Sequence, residues 1–290
     1  MKIIKYFFEF TIIILLFIIF KIIGRKLSSN FGCLISKIFG PYFRSKKKII
    51  NNLKIVFPNL GDTEKNKIIK NMWCNFGRTF AEYVFQNKFK KDTSYVKIMG
   101  EKIIDNIIKK KTPTVFVAGH FANFEVIGIE LNKKKLDFAV IYRQLNNFFL
   151  NPLMEYWRKK YISQNQIPKP ISGKNNNGTR KFINAAKKRQ NIIILVDQSV
   201  TQGIKVNFFN KKAFTTVMPA QLVLKFNYQI VPISIVRNNN HNFTMNIWSP
   251  IKLKKKENEY TITQKINNII EKMILKNPGQ WIWTHNRWKS

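Results

Sequence analysis

The longest apolar stretch lies at the amino end, where Phe10 to Phe20 is almost wholly hydrophobic within the run from Ile3 to Ile23. Lys2, Lys5, Lys21, Arg25 and Lys26 flank it. About 20 apolar residues suffice to span a bilayer. The basic Gly24-Arg25-Lys26-Leu27 that follows offers no small-residue cleavage site. The pattern predicts a retained membrane helix over residues 1–26, with Lys5 and Glu9 near an interface and the basic bulk of the protein on the cytoplasmic side. Downstream the period changes. Helical spacing is predicted over 63–85, 101–110, 123–131, 148–161, 178–189, 218–226 and 260–276. Short apolar runs over 114–118, 137–142, 192–196, 230–236 and 243–248 predict strands, and Gln164 to Asn177 is an asparagine-rich connection. Such alternation predicts an α/β fold: a central mostly parallel or mixed sheet flanked by helices, forming one domain over 27–290.

Composition narrows the partners. The chain has 290 residues, 45% of them hydrophobic, a formal net charge of +36 and an isoelectric point near 10.3. That surplus favours an acidic protein, anionic lipid or nucleic acid, although richness in Lys, Asn and Ile accounts for part of it. No RNP motif, zinc-finger spacing or GxxG loop is present, so nucleic acid is not an expected partner. The two cysteines, Cys33 and Cys74, have no metal or redox spacing. A reduced compartment suits them, and Cys74 reads as helix packing. There is no Walker loop, dinucleotide fingerprint, serine elbow or paired-histidine zinc motif. A reaction without metal or cofactor is the expectation.

Candidate chemistry starts at Gly119-His120-Phe121-Ala122-Asn123-Phe124-Glu125, directly after the predicted strand Thr114 to Ala118. His120 falls at a strand end and Glu125 in the first turn of the next helix. On one continuous helix a separation of five would hold the side chains apart, whereas a strand-to-helix turn can bring them together. The pair has the parts of a general base and its supporting carboxylate. A core histidine beside an unrelated surface glutamate fits the same spacing. His241 lies in an asparagine-rich loop and His285 among tryptophans in the tail, and both are less well placed. Asp197 ends another predicted strand, where it either serves the site or caps a turn. Arg158 reads as a ligand or as a surface partner of Glu155.

Several blocks occur in a distinctive order: Asn52-Leu53-Lys54-Ile55-Val56-Phe57-Pro58, the His120 block, Tyr142-Arg143 with Asn146-Asn147, Asp197-Gln198 with Gly203 and Phe208-Phe209, and Gln280 to Lys289. Together they resemble the lipid A biosynthesis acyltransferase family, the lauroyl and myristoyl transferases of Gram-negative inner membranes. The resemblance covers nearly the whole chain. It implies a glycerolipid acyltransferase-like fold and transfer of a fatty acyl group from acyl carrier protein to a hydroxyl of a lipid A precursor, at the cytoplasmic side of the inner membrane. It further implies His120 as general base, Glu125 in support, and Arg158 and Asp197 as functional residues. A phosphorylated acceptor would suit Arg143, Arg158 and Arg180, and acidic acyl carrier protein would suit the remaining positive charge. Two alternatives stay open: a related acyltransferase with a glycerophospholipid or other glycolipid acceptor, and a non-enzymatic polybasic protein that binds anionic membrane lipids.

Overall fold

A computed structural model describes residues 2–169 and 177–289, so half of the asparagine-rich connection, residues 170–176, lies outside the described part. The chain opens with α1 (Lys2–Ile23), α2 (Arg25–Phe43), α3 (Lys46–Val56), α4 (Asp62–Glu82) and α5 (Gln86–Lys91). Alternating elements follow: β1 (Val96–Met99), α6 (Glu101–Lys110), β2 (Thr114–Ala118), α7 (Glu125–Lys133), β3 (Phe138–Tyr142), α8 (Leu150–Tyr161), β4 (Asn165–Pro168), α9 (Asn177–Lys187) and β5 (Asn191–Leu195). A hairpin of β6 (Ile204–Phe208) and β7 (Lys211–Thr215) precedes α10 (Met218–Phe226), β8 (Gln229–Asn238), β9 (Asn242–Ile247) and α11 (Glu259–Lys276).

One seven-stranded sheet runs in the order β1-β9-β8-β2-β5-β3-β4. Among the described residues of this sheet, only the β8–β9 pair is antiparallel. The expected α/β architecture with a mostly parallel central sheet is the one observed. Its middle strands read as unbroken apolar runs because both faces are covered. Along β2, Val115 and Val117 enter the core beneath α9, α10 and α11, while Phe116 and Ala118 enter the one beneath α1, α6 and α7.

The first helix is long and apolar enough to cross a membrane, yet it is also built into the fold. Phe17 and Phe20 are buried, Phe17 packing on Phe80 and Trp157 at 5.1 and 5.6 Å between ring centroids. Glu9, which interrupts the apolar run, receives a hydrogen bond from Asn147 Nδ2 at 3.3 Å, and the same amide donates to the Tyr6 carbonyl at 2.9 Å. The outer side of α1 and α2 remains apolar and exposed, with Phe7, Phe8, Leu15, Ile22, Leu34, Phe39 and Phe43 among its residues.

The expectation of two separate reduced cysteines is corrected. Cys33 on α2 and Cys74 on α4 form a disulfide, with Cα atoms 3.9 Å apart. Sequence spacing hid the contact because it arises only where two helices cross. Gly32 and Gly77 sit at that crossing, and a Cβ on either would run into the backbone carbonyl of the other. Missing side chains there let the helix backbones meet.

Candidate active site

The parallel register of β2 and β5 pairs Ala118 with Leu195. His120 and Asp197, each two residues further on, therefore leave the carboxyl edge of the sheet side by side. The His120 backbone N–H donates to Asp197 Oδ2 at 2.7 Å, and His120 Nδ1 lies 2.7 Å from Oδ1. Trp281 Nε1 donates to Oδ2, also at 2.7 Å. Asp197 is only 2% exposed. Burial alone would push its carboxyl up, but the charge of His120 and hydrogen bonds from His120 and Trp281 outweigh that and hold it well below the usual carboxylate range. A buried, ionised Asp197 fixes the proton of His120 on Nδ1 and leaves Nε2 as the basic atom.

Glu125 is elsewhere. It opens α7 as expected, but its Oε1 accepts from Arg158 Nε at 3.1 Å and Nη2 at 2.5 Å, and from the Tyr83 hydroxyl at 3.3 Å. The carboxylate against the His120 ring is that of Asp197. The proposed Arg158–Glu155 surface pair does not form: Glu155 accepts from Tyr142 at 2.6 Å and from Asn151 at 2.8 Å. Burial disfavours the Arg158 cation, yet Glu125 and Tyr83 more than offset this and raise its already high pKa. Burial, and then the Glu125 charge, raise the Tyr83 phenol far above its ordinary value.

A cavity of about 590 Å³ opens between these groups. His120, Glu125 and Arg158 line it, as do the apolar Ile127, Val140, Ile141, Ile193 and Leu195, and Arg44, Arg143 and Lys169 supply positive charge. Lys169 has a lowered pKa from burial and from Arg143 nearby. Of the arginines expected as ligands, Arg143 and Arg158 line the cavity. Arg180 does not; it sits exposed on α9.

Two residues that sequence reasoning passed over complete the site. Gln198 Nε2 is 3.0 Å from His120 Nε2 and 2.7 Å from His285 Nε2. His285 has its pKa lowered to about 4, by burial first and then by the charge of His120. Both were visible as members of the ordered blocks, but nothing in the spacing joins them to His120. The fold does so through the tail. Asn52 Nδ2 donates to the carbonyls of Trp283 and His285 at 2.9 and 2.6 Å, and Ala122 N–H donates to the Gln280 carbonyl at 3.1 Å. Arg287 donates to the Phe214 carbonyl and Thr215 Oγ1, and Trp288 to the Phe208 carbonyl. Blocks scattered along the chain thus form one knot around the histidine.

An α/β sheet thus presents a histidine–aspartate pair at its carboxyl edge, beside a cavity with an apolar wall and several basic groups. The chain belongs to the bacterial lipid A biosynthesis acyltransferase family, whose model matches residues 1–290. Among individual proteins it is similar to the lipid A biosynthesis acyltransferase of Haemophilus influenzae (strain ATCC 51907 / DSM 11121 / KW20 / Rd), 22% identical over 249 residues, which cover 82% of this chain and 76% of that one. The protein is therefore an acyltransferase of lipid A biosynthesis.

Proposed function

We propose that the protein transfers a fatty acyl chain from an acyl carrier protein thioester to a hydroxyl of a lipid A precursor, with His120 as general base. The observation that carries this reading is the His120–Asp197 pair, which leaves Nε2 basic at the wall of the cavity. As the acceptor oxygen attacks the thioester carbon, its proton passes to Nε2; the C–S bond then breaks and the departing thiolate takes that proton. Asp197 stabilises the imidazolium formed in between. No covalent enzyme intermediate is required, because the thioester is already activated.

Glu125 supports the base indirectly. Tied to Arg158 and Tyr83, it anchors the first turn of α7 to α8 and shapes the wall on which the acyl chain would lie. Phe121 N–H donates to the Gly119 carbonyl and Ala122 N–H to Gln280, so an oxyanion donor from this turn must come from Asn123 onward. Acceptor phosphates would meet Arg44, Arg143 and Lys169. The exposed apolar side of α1 and α2 runs to Phe43 and ends beside Arg44, which supports a cavity mouth held at a membrane surface. On this reading the wider positive surface docks the acidic carrier protein from the cytoplasmic side of the inner membrane.

The test is incubation of the purified protein, in lipid vesicles, with carrier-protein thioesters and a lipid A precursor, followed by mass spectrometry. The reading expects one added acyl chain on the lipid. Transfer to a glycerophospholipid in place of the lipid A precursor would overturn the acceptor assignment.

A further inference from the structure

Helix α4 and strand β8 meet in a buried ion cluster away from the active-site cavity. Its carboxylate is Glu82, wholly buried, and each oxygen already accepts twice: Oε1 from Arg237 Nη1 at 2.5 Å and the Ser29 hydroxyl at 2.9 Å, Oε2 from Arg237 Nη2 at 2.9 Å and Asn123 Nδ2 at 3.0 Å. A carboxylate has about four lone-pair sites, so none is left. Arg78 lies one turn earlier on α4 and is 6% exposed. Its Nη1 donates to the Ser29 hydroxyl at 3.1 Å and to Asn30 Oδ1 at 2.8 Å, and among the described residues it forms no salt bridge. Burial and the charge of Arg237 both lower its pKa, and Glu82 opposes them only in part. Two buried guanidiniums thus share a carboxylate that one of them has taken.

The uncompensated charge borders a cavity. Arg78 lines a space of about 500 Å³ whose wall also carries Arg237, Lys67 and Lys276, and no Asp or Glu among the described residues. It shares no lining residue with the active-site cavity. We propose that this second cavity binds a phosphate group, held by the Arg78 guanidinium with Lys67 and Lys276 at the mouth. The anion supplies the counter-charge that the fold withholds from Arg78. Arg237 already donates to Glu82 and Asn75, so it contributes charge more than contacts. A neighbouring cavity of about 400 Å³ shares Lys276 and Asn277 with this one and is lined by apolar groups, among them Ile235, Trp248, Ile251 and Met273. The phosphate therefore comes from a lipid headgroup with a chain in the apolar space, or from a free phosphate, and the experiment separates the two.

Full-length protein in uncharged detergent is titrated calorimetrically with inorganic phosphate and with dihexanoyl phosphatidic acid, at constant ionic strength with chloride as the balancing anion. Arg78→Gln should weaken binding about tenfold, as expected for the loss of a hydrogen bond between charged groups. The double variant Lys67→Gln, Lys276→Gln should weaken it about threefold through two exposed charges. Neither lysine is buried, so this variant carries the test even if Arg78→Gln folds poorly. Arg143→Gln, in the other cavity, should leave this binding in place. If the source is a lipid, phosphatidic acid binds more tightly than inorganic phosphate and Trp248→Ser removes the difference; if it is free phosphate, the two bind alike and Trp248→Ser changes neither. Equal affinity in wild type, Arg78→Gln and the double lysine variant overturns the site. So does binding that Arg143→Gln abolishes, which would assign the phosphate to the active-site cavity.

Discussion

Asp197 is the residue on which the site turns, since it takes the His120 ring, the His120 backbone and the Trp281 indole at once. Glu125, in contrast, is bound into a partly buried ion pair. Removing it leaves Arg158 without its counter-charge, so Glu125→Ala should cost about 3 kcal/mol of stability, the low end for breaking a buried pair. The Glu125→Ala, Arg158→Met double variant should recover most of that, and urea unfolding of the four-member cycle measures it. His285 gives a pH prediction. Its pKa in the folded protein, about 4, lies below the ordinary value near 6.5. The unfolded chain therefore takes up the proton first as pH falls. The stability held by neutral His285 is complete above about 6.5 and is lost between there and about 4. Melting temperatures of wild type and His285→Gln should converge over that window. His241, also lowered by burial, is common to both and cancels. Ala122 occupies a left-handed backbone with φ 44°. Ala122→Gly should therefore stabilise the protein by about 1 kcal/mol, read from chemical denaturation.

At the scale of elements, what was legible follows from locality. Strand β2, helix α6 and helix α10 match their expected bounds because apolar period and flanking breakers agree there. The β6–β7 hairpin escapes the sequence pattern although buried Val206 and Phe208 alternate with exposed Lys205 and Asn207, because a strand of five residues gives too short an alternation. Helix α2 was missed because Gly32, Gly40 and Pro41 weaken its local signal while its contact with α4 sustains it. The apolar run predicts the amino-terminal helix as an anchor over residues 1–26. Its inner face is core, so deleting residues 1–26 would uncover Phe80 and Trp157. A sharper experiment changes only the exposed face. Serine at Phe7, Phe8 and Leu15 should shift the protein from the vesicle pellet towards the supernatant on sedimentation while leaving its melting temperature within a few degrees. Unchanged pelleting would assign membrane attachment to α2 or to the basic surface.

Across the whole molecule the His120–Asp197 pair is a consequence of topology. His120 was readable from its own heptapeptide, and Asp197 from its place at the end of a strand. Their partnership was not, because it requires β2 and β5 to be neighbours in register, a fact that no local pattern encodes. The same holds for the tail, which contributes Trp281 to the aspartate and His285 to the Gln198 amide from the far end of the chain. On the proposed function, a basic exterior, the apolar wall of the cavity and an apolar helical face would serve carrier protein, acyl chain and bilayer in turn. The most direct measurement of the central claim is the single-turnover rate of acyl transfer from carrier-protein thioester to lipid A precursor in His120→Ala, compared with wild type at equal folded concentration. The account predicts a fall of about 10² to 10⁴, the usual contribution of a general base. A rate within a few-fold of wild type would contradict it.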